Sequence, residues 1–393
     1  MIDYSKRINP LVAGISPSGI RKFFDIAAEI PDAISLGVGE PDFVTPWNTR
    51  SAAINSIRRG HTSYTSNRGL KELRAAISEY LKGRFSLSYD PETEMFVTVG
   101  ASEAIDLALR TLITAGDEVL VPDPSYVSYV PGITLAGGKA VPVKTEAKDD
   151  FALTKESLER AVTDRCRLLI LPYPNNPTGA IMTLEQLKDI AEFVEKHDLF
   201  VISDEIYAEL TYETRHVSVC AMPGMKERSV LISGFSKAFA MTGWRIGYVA
   251  APKELISQML KIHQYTIMCA PTFSQHAALN ALTEGASDGY ADVEYMREQY
   301  DMRRNYLVTR FNEMGLKCFT PRGAFYAFPC VKDTGMDGEE FAERLLREKH
   351  VAVVPGGAFG EGGRDFVRCS YACSLSTLKT ACERIGEFLK QSG

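Results

Sequence analysis

Short apolar runs alternate with longer amphipathic stretches between residues 95 and 251, and this alternation constrains the fold more than any other feature. Each run is too short for a buried helix and rich in Val, Ile and Leu, as in strands buried on both faces. Strands that alternate with helices require crossover connections, so the pattern predicts an α/β fold with a mostly parallel sheet. The seven runs are residues 95–100, 118–123, 139–143, 166–173, 199–207, 229–236 and 245–251.

The stretches between these runs predict helices, for example at residues 102–112 and 183–197. The second of these opens with Thr183 and, three residues later, Gln186. This is the pattern of a capping box, in which each side chain accepts a hydrogen bond from a free backbone N–H. The sequence therefore predicts where that helix begins.

A second domain is expected because the pattern changes after Pro252, where long amphipathic stretches at 253–268 and 292–314 precede a mixed region. A chain of 393 residues also exceeds what one hydrophobic core usually supports. Strand-like runs in the mixed region lie at residues 324–328, 351–354 and 366–369. The expected organisation is an N-terminal arm (1–13), a small α/β domain (14–45 and 286–393) and a large domain (46–285).

Composition argues against several classes of protein. The net charge is −6 and Lys and Arg form no clustered run, so nucleic acid is not an expected partner. No stretch approaches the roughly 20 apolar residues of a membrane span, and the N-terminus has no signal-peptide core. We expect a cytoplasmic protein that binds no membrane. The eight cysteines read as reduced core thiols, and the six histidines form no metal-binding pattern, so no metal is expected.

Polar groups stand at several strand ends, where ligands of open α/β sheets bind. The small residues Gly100, Ala101 and Ser102 would let backbone N–H groups at a helix N-terminus approach an anion. A tight turn capped by Ser102 explains the same residues equally well. The turn that holds Asn176, at residues 175–179, also reads as a simple loop because Asn, Pro and Gly favour turns.

Two further strand ends carry charge. Asp204 and Glu205 lie on opposite faces of a strand, so one carboxylate facing a cationic ring nitrogen is more plausible than paired acid–base catalysis. Lys237 closes an apolar run, and burial would lower its pKa and make the amine nucleophilic. A solvated surface cation is the alternative. Arg245, eight residues later, could supply a fixed positive charge for a phosphate.

Together, these motifs resemble those of the class I/II aminotransferases, which are pyridoxal-phosphate enzymes of fold type I. The resemblance runs through nearly the whole chain. It implies a large domain with a mostly parallel seven-stranded sheet between helices and a smaller α/β domain. Each motif is moderately specific, and their order and spacing make the set strong. The motifs are residues 39–43, 64–70, 175–179, 204–207, 236–245 and 366–371.

The resemblance assigns roles around the cofactor ring. Lys237 would hold pyridoxal 5'-phosphate as a Schiff base and then move the proton between the substrate α-carbon and the cofactor's aldehyde carbon. Asp204 would keep the pyridine nitrogen protonated, which makes the ring an electron sink. Asn176 and Tyr207 would hydrogen-bond the ring's phenolic oxygen, and Tyr126 would stack on the ring.

The resemblance also implies a phosphate site formed by the backbone around Ala101 and Ser102, with Ser236 and Arg245. A tyrosine matching Tyr64 reaches the phosphate from the neighbouring subunit, which implies a homodimer with shared active sites. Many members carry Ser or Thr three residues before the lysine. Here that position is Gly234, preceded by Ser233. Whether Ser233 or Ser236 contacts the phosphate therefore stays open.

The substrate would be gripped at its α-carboxylate by Arg368, with Gly39 offering a backbone N–H. Ile20 and the adjoining residues 18–19 would belong to a mobile lid. The implied reaction is a ping-pong transfer of an amino group between an L-amino acid and a 2-oxo acid, with aspartate, an aromatic amino acid or alanine as donor. Ser102 stands where some aspartate-using relatives have a basic residue, which weakens the case for aspartate. The alternatives are a carbon–sulfur lyase on the same scaffold and a non-catalytic protein that binds the cofactor.

Overall fold

The computed structural model describes residues 2–17, 19 and 30–392. Its α-helices are α1 (Pro10–Ala13), α2 (Trp47–Arg58), α3 (Lys71–Phe85), α4 (Gly100–Leu112), α5 (Tyr129–Leu135), α6 (Lys155–Ala161), α7 (Leu184–Lys196), α8 (Lys253–Thr266), α9 (Thr272–Asp288), α10 (Ala291–Glu313), α11 (Gly338–Lys349) and α12 (Leu375–Ser392). Its strands are β1 (Ile34–Ser35), β2 (Met95–Thr98), β3 (Glu118–Asp123), β4 (Lys139–Lys144), β5 (Cys166–Leu171), β6 (Phe200–Asp204), β7 (Ser229–Gly234), β8 (Gly247–Ala250), β9 (Tyr326–Ala327), β10 (Val351–Ala352), β11 (Val354–Pro355) and β12 (Val367–Ser370).

All seven apolar runs form strands of one sheet, with the order β2-β8-β7-β6-β5-β3-β4. The pairings from β4 through β7 are parallel, while β8 is antiparallel to both of its neighbours. The prediction of a mostly parallel sheet is confirmed. Because β8 is antiparallel to both β7 and β2, β2 runs in the same direction as the parallel strands. The carboxyl ends of β2, β5, β6 and β7 therefore meet at one edge.

Helices cover both faces of this sheet, which explains why its strands are apolar throughout. In β5, Leu168 and Ile170 belong to one hydrophobic core, while Leu169 and Leu171 belong to another on the opposite face. The strand β4 differs because it forms an edge, and most of its side chains are at least partly exposed. The alternation of side chains along buried strands thus produces a three-layer arrangement.

The capping box predicted at the start of the helix after β5, which is α7, is present with both of its hydrogen bonds. Thr183 Oγ1 accepts a hydrogen bond from the Gln186 backbone N–H at 3.3 Å, and Gln186 Oε1 accepts one from the Thr183 N–H at 2.8 Å. The first helix predicted after β2 begins at Gly100, two residues before the predicted start, because the glycine itself enters the first turn. Sequence patterns therefore locate helix starts to within a few residues.

A third hydrophobic core lies under the C-terminal helices α10, α11 and α12. It packs against a three-stranded antiparallel sheet of order β11-β12-β9, and β1 pairs in parallel with β10 nearby. Leu36, which follows β1, belongs to the same core. The boundaries predicted from the sequence for the small domain, residues 14–45 and 286–393, stay a prediction.

Within the described ranges, no helix is both long enough and apolar enough to cross a membrane. The same ranges contain no group of three or more His, Cys, Asp or Glu side chains arranged to hold a metal ion.

Candidate active site

A cavity of about 570 Å³ opens at the carboxyl edge of the seven-stranded sheet, between that sheet and the C-terminal core. Both parts of the chain contribute to its wall, because Tyr326 and Arg368 from the antiparallel sheet face the ends of β2, β6 and β7. The predicted site residues that line it are Gly39, Ala101, Ser102, Tyr126, Asn176, Asp204, Tyr207, Ser236, Lys237, Arg245 and Arg368.

Two predicted site residues are not among those that the described part of the chain places in this wall. Tyr64 is 80% exposed and is not among the residues that line the cavity. Ile20, like Ser18 before it, lies outside the described residues. Ser233 also turns away, since its hydroxyl donates to the Glu205 backbone oxygen at 3.2 Å, whereas Ser236 lines the cavity.

Lys237 follows β7 and reaches into the cavity as a largely buried amine. Its Nζ donates a hydrogen bond to the Gly39 carbonyl oxygen at 2.7 Å and lies 5.7 Å from the ring centroid of Tyr207. Burial lowers the pKa of Lys237 to about 8, and the positive charges of Arg368 and Arg245 act in the same direction. A much larger share of this amine is therefore neutral, and nucleophilic, near physiological pH than for an exposed lysine.

Asp204 ends β6 and is 6% exposed. Its Oδ2 accepts a hydrogen bond from the Tyr129 hydroxyl at 2.7 Å, and its Oδ1 accepts one from the Ile206 N–H at 3.3 Å. Burial raises the pKa of the Asp204 carboxyl, and both hydrogen bonds oppose that rise. This carboxylate can pair with a cationic ligand group inside the cavity.

Glu205, the next residue, is held on the other side of the strand. Its Oε1 accepts hydrogen bonds from the hydroxyls of Ser203 and Ser218 at 2.7 and 2.6 Å, and its Oε2 lies 2.8 Å from Nε2 of His216. Of these two adjacent acids, the end of β6 therefore presents only Asp204 to the cavity, as the alternation of side chains predicts.

The N-terminus of α4 and a nearby arginine form an anion cradle. Val99, the N-cap residue, supplies no side-chain cap, so the backbone N–H groups of the first turn point to the helix end. Gly100 has φ +74°, and a Cβ built on it would lie 2.7 Å from Arg245 Nη2. Arg245 Nη1 also donates to the Thr242 carbonyl oxygen at 2.9 Å. Helix N-terminus, guanidinium and the nearby Ser236 together suit a phosphate.

Arg368 in β12 is a buried cation on the opposite wall. Its Nη1 donates to Asn176 Oδ1 at 2.8 Å and its Nη2 to the Gly37 carbonyl oxygen at 2.5 Å. The guanidinium lies over the rings of Tyr326 and Phe359, at 4.4 and 4.9 Å. Its Nε has no hydrogen-bond partner in the described part of the chain. A planar cation held in this way can receive a carboxylate.

Two tyrosines that sequence reasoning missed also line the cavity, Tyr129 and Tyr326. Tyr129 contacts Asp204, and the Tyr326 hydroxyl lies 2.8 Å from that of Tyr207. Both are buried, and a buried phenol usually requires a polar partner. That rule was the available signal, since Tyr129 stands three residues after Tyr126 and Tyr326 interrupts an apolar run.

A nucleophilic amine, a buried acid, an anion cradle and a fixed arginine in one cavity define an enzyme that binds a phosphorylated aldehyde and a carboxylate substrate. Comparison with known proteins agrees, because residues 31–385 match the family model described as aminotransferase class I and II. The chain belongs to the class I and II aminotransferase family.

Individual relatives are similar over nearly their full lengths. The chain is 53% identical to the YugH protein of Bacillus subtilis (strain 168), over 98% of this chain and 99% of that one. It is 46% identical to an aspartate aminotransferase of Pyrococcus abyssi (strain GE5 / Orsay), over 96% and 97%. An aromatic aminotransferase structure from Pyrococcus horikoshii OT3 superposes with a TM-score of 0.90 at 46% identity, over 94% and 99%.

The protein is therefore a pyridoxal-phosphate-dependent aminotransferase of fold type I, as the sequence predicts. The carbon–sulfur lyase alternative is not favoured, because the relatives are aspartate and aromatic aminotransferases. The residues present fit the cofactor in three respects. Lys237 offers an amine whose pKa burial lowers to about 8, Asp204 offers a buried carboxylate, and the helix N-terminus beside Arg245 offers a cradle that a side chain at Gly100 would fill.

Proposed function

We propose that this cavity performs aminotransfer with Lys237 as the attachment point of the cofactor and Asp204 as the partner of its ring nitrogen. The observation that carries the proposal is that one cavity holds Lys237, an amine of lowered pKa, and Asp204, a buried acid, together with an anion cradle. The cradle, made by Ala101, Ser102 and Arg245 with Ser236, would receive the phosphate. When bound, pyridoxal phosphate supplies an electron sink for charge that develops at the substrate α-carbon.

The chain's own groups would divide the remaining work. Arg368 orients the substrate by its α-carboxylate, and Gly39, which lies beside Arg368 Nη1 and the Tyr326 hydroxyl, would offer a backbone N–H to the same carboxylate. Lys237 takes the proton from the substrate α-carbon and returns it at the cofactor's aldehyde carbon, which one flexible amine of near-neutral pKa can do. Tyr207 and Asn176 would contact the ring's phenolic oxygen, and Tyr126 would cover the ring face.

The test is to record the visible spectrum of the purified enzyme and then add single amino acids without a keto acid. A long-wavelength band that converts to the aminated form of the cofactor supports the first half of a ping-pong cycle. In Lys237→Ala, borohydride reduction should leave no cofactor covalently attached to the chain. An unchanged covalent adduct in that variant would overturn the assignment of Lys237.

The amino donor is proposed to be aspartate, an aromatic amino acid or alanine. Relatives at 46% and 44% identity are named aspartate aminotransferase and aromatic-amino-acid aminotransferase 2. Ser102 offers no positive charge to a second carboxylate, which favours the uncharged side chains. The spectral conversion above discriminates between the three, since only true donors remove the long-wavelength band.

We also propose a homodimer with shared active sites, located in the cytoplasm with its eight cysteines free. Tyr64 and Tyr265 are 80% and 88% exposed, which is costly for large aromatic side chains unless a partner covers them. The Thr272 hydroxyl donates to the Ser63 backbone oxygen at 2.9 Å, which brings the segments that carry exposed Phe273 and Tyr64 together. Tyr64 would reach the phosphate of the second copy.

Mixed dimers test the shared site. One subunit carries Tyr64→Ala and the other Lys237→Ala. If Tyr64 acts across the interface, the subunit with intact Lys237 receives an intact Tyr64 and recovers full cofactor affinity. If the native mass is that of a monomer, or mixing restores nothing, the shared-site proposal fails.

A further inference from the structure

Tyr129, the first residue of α5, makes a contact with Asp204 that the proposed reaction has not used. Its side chain is 2% exposed, and its hydroxyl donates to Asp204 Oδ2 at 2.7 Å. Burial and the neighbouring Asp204 charge raise the pKa of the Tyr129 phenol well above its usual range. The hydroxyl therefore keeps its proton, and remains a donor, at every pH at which the enzyme works.

The groups that act on Asp204 come from three parts of the fold. Burial favours the protonated acid, and the charge of adjacent Glu205 acts in the same direction. Opposing them are the Tyr129 hydroxyl from α5, the Ile206 backbone N–H and the charge of Lys237 beyond β7. Of these opposing influences, the hydrogen bond from Tyr129 is the largest. A hydrogen bond that a carboxylate accepts stabilises its ionised form.

We propose that Tyr129 is a positioning residue of aminotransfer, whose hydroxyl holds the Asp204 carboxylate ionised and fixed in the cavity wall so that Asp204 can retain a proton on the cofactor's ring nitrogen. This rests on the proposed role of Asp204. The same ring also meets Tyr126 edge to face, with centroids 5.6 Å apart and planes at 81°. One side chain thus supports both the acid and the ring proposed to cover the cofactor.

The experiment compares Tyr129→Phe with the wild type, because phenylalanine keeps the ring contacts and removes only the donor. The dissociation constant of pyridoxal phosphate is measured on the apoenzyme across about pH 5 to 9, which spans the range in which a perturbed buried acid titrates. Affinity should rise with pH as Asp204 ionises. Losing a hydrogen bond to a charged group should move that rise upward by about one to two pH units.

The shift in the pH dependence of cofactor affinity is upward because Tyr129→Phe removes a donor to the ionised carboxylate. Without the Tyr129 hydroxyl the protonated acid is favoured, so Asp204 ionises only at higher pH and the cofactor binds about ten- to a hundredfold more weakly below that point. The titrations of Lys237 and of the phosphate are common to both proteins. They therefore cancel in the comparison.

Tyr80→Phe is the matched control. Tyr80 is also buried, and its hydroxyl donates to a buried carboxylate, Glu209 Oε1, at 2.6 Å, but it does not line the cavity. This variant should lose stability without moving the pH profile of cofactor binding. Equal profiles for the wild type and Tyr129→Phe, or equal shifts for Tyr129→Phe and Tyr80→Phe, would overturn the inference.

Asp204→Asn, alone and combined with Tyr129→Phe, separates this inference from the proposed function. If Tyr129 acts through Asp204, its substitution should add no further shift once the carboxylate is gone. An additive effect in the double variant overturns the inference and leaves Asp204 in its role. Unchanged cofactor affinity and half-reaction in Asp204→Asn would instead overturn the proposed role of Asp204 itself.

Discussion

Gly100→Ala should weaken cofactor binding, in addition to the loss of stability expected wherever a glycine with positive φ is replaced. The residue begins α4 with φ +74°, and an added Cβ would lie 2.7 Å from Arg245 Nη2. Because that atom is the end of a flexible side chain, the arginine can move at little energetic cost. Moving it, however, removes the guanidinium from the anion cradle. The loss specific to this position should therefore appear in the dissociation constant of pyridoxal phosphate.

This geometry gives one estimate for the loss of folding free energy and one for the loss of cofactor-binding free energy. A left-handed conformation costs a residue with a side chain about 1–2 kcal/mol, which the fold loses wherever such a glycine is replaced. A hydrogen bond to a charged group contributes about 1.5–3 kcal/mol, so displacing Arg245 should weaken cofactor binding about ten- to a hundredfold.

Gly60→Ala provides a matched control. Gly60 has a similar φ of +79°, and nothing lies within 4 Å of a Cβ built on it. Both variants should lose comparable stability in thermal unfolding of the apoenzyme, while only Gly100→Ala should lose affinity in an equilibrium titration with pyridoxal phosphate. If the two variants bind the cofactor equally well, the placement of Arg245 against Gly100 does not form the phosphate site.

Three further outcomes are expected. Cofactor attachment to the apoenzyme should speed up as pH rises and level off above about 8, since burial lowers the pKa of Lys237 to about 8 and only the neutral amine attacks; a stopped-flow rate that is flat over this range would contradict it. Arg368→Lys should raise KM for amino acids about tenfold or more, because a point charge replaces a planar fork, while cofactor affinity stays unchanged in titration. Tyr326→Phe should cost about 1 kcal/mol of stability, because it loses the hydrogen bond to Tyr207, and should leave KM near its original value. Tyr326→Leu also loses the ring under Arg368 and should raise KM. Equal KM values in the two variants would refute a role for the ring.

The sheet could be predicted from the sequence because its information is local. Seven runs of apolar residues each specify a strand buried on both faces, and the intervening periodic stretches specify crossovers. The reversed direction of β8 was harder to predict, since only twelve residues separate β7 from β8, in a connection that also carries Lys237 and Arg245 and forms no crossover helix. That connection forms part of the cavity wall, and the direction of β8 follows from its path.

The site was predictable where residue types are unusual for their surroundings. A lysine and an acid at the ends of apolar strands are costly without a function, so Lys237 and Asp204 stood out. The sequence did not show which of Ser233 and Ser236 faces the cavity. Both are small, polar and next to the same strand end, and the outcome depends on the backbone path after Gly234, which turns Ser233 toward the Glu205 carbonyl oxygen.

The two missed residues share a physical reason. A tyrosine suits an apolar core through its ring and a polar site through its hydroxyl, so its presence in an apolar run indicates only that the hydroxyl needs a polar partner and does not identify that partner. The partners that decide its role are far away in sequence. Tyr129 meets Asp204 across 75 positions, and Tyr326 meets Tyr207 across 119. Only the folded sheet edge brings these pairs together, and each missed tyrosine contacts a residue that the sequence did identify. The residues that the sequence singles out therefore line one cavity, whereas the residues that contact them from distant parts of the chain are determined by the tertiary fold.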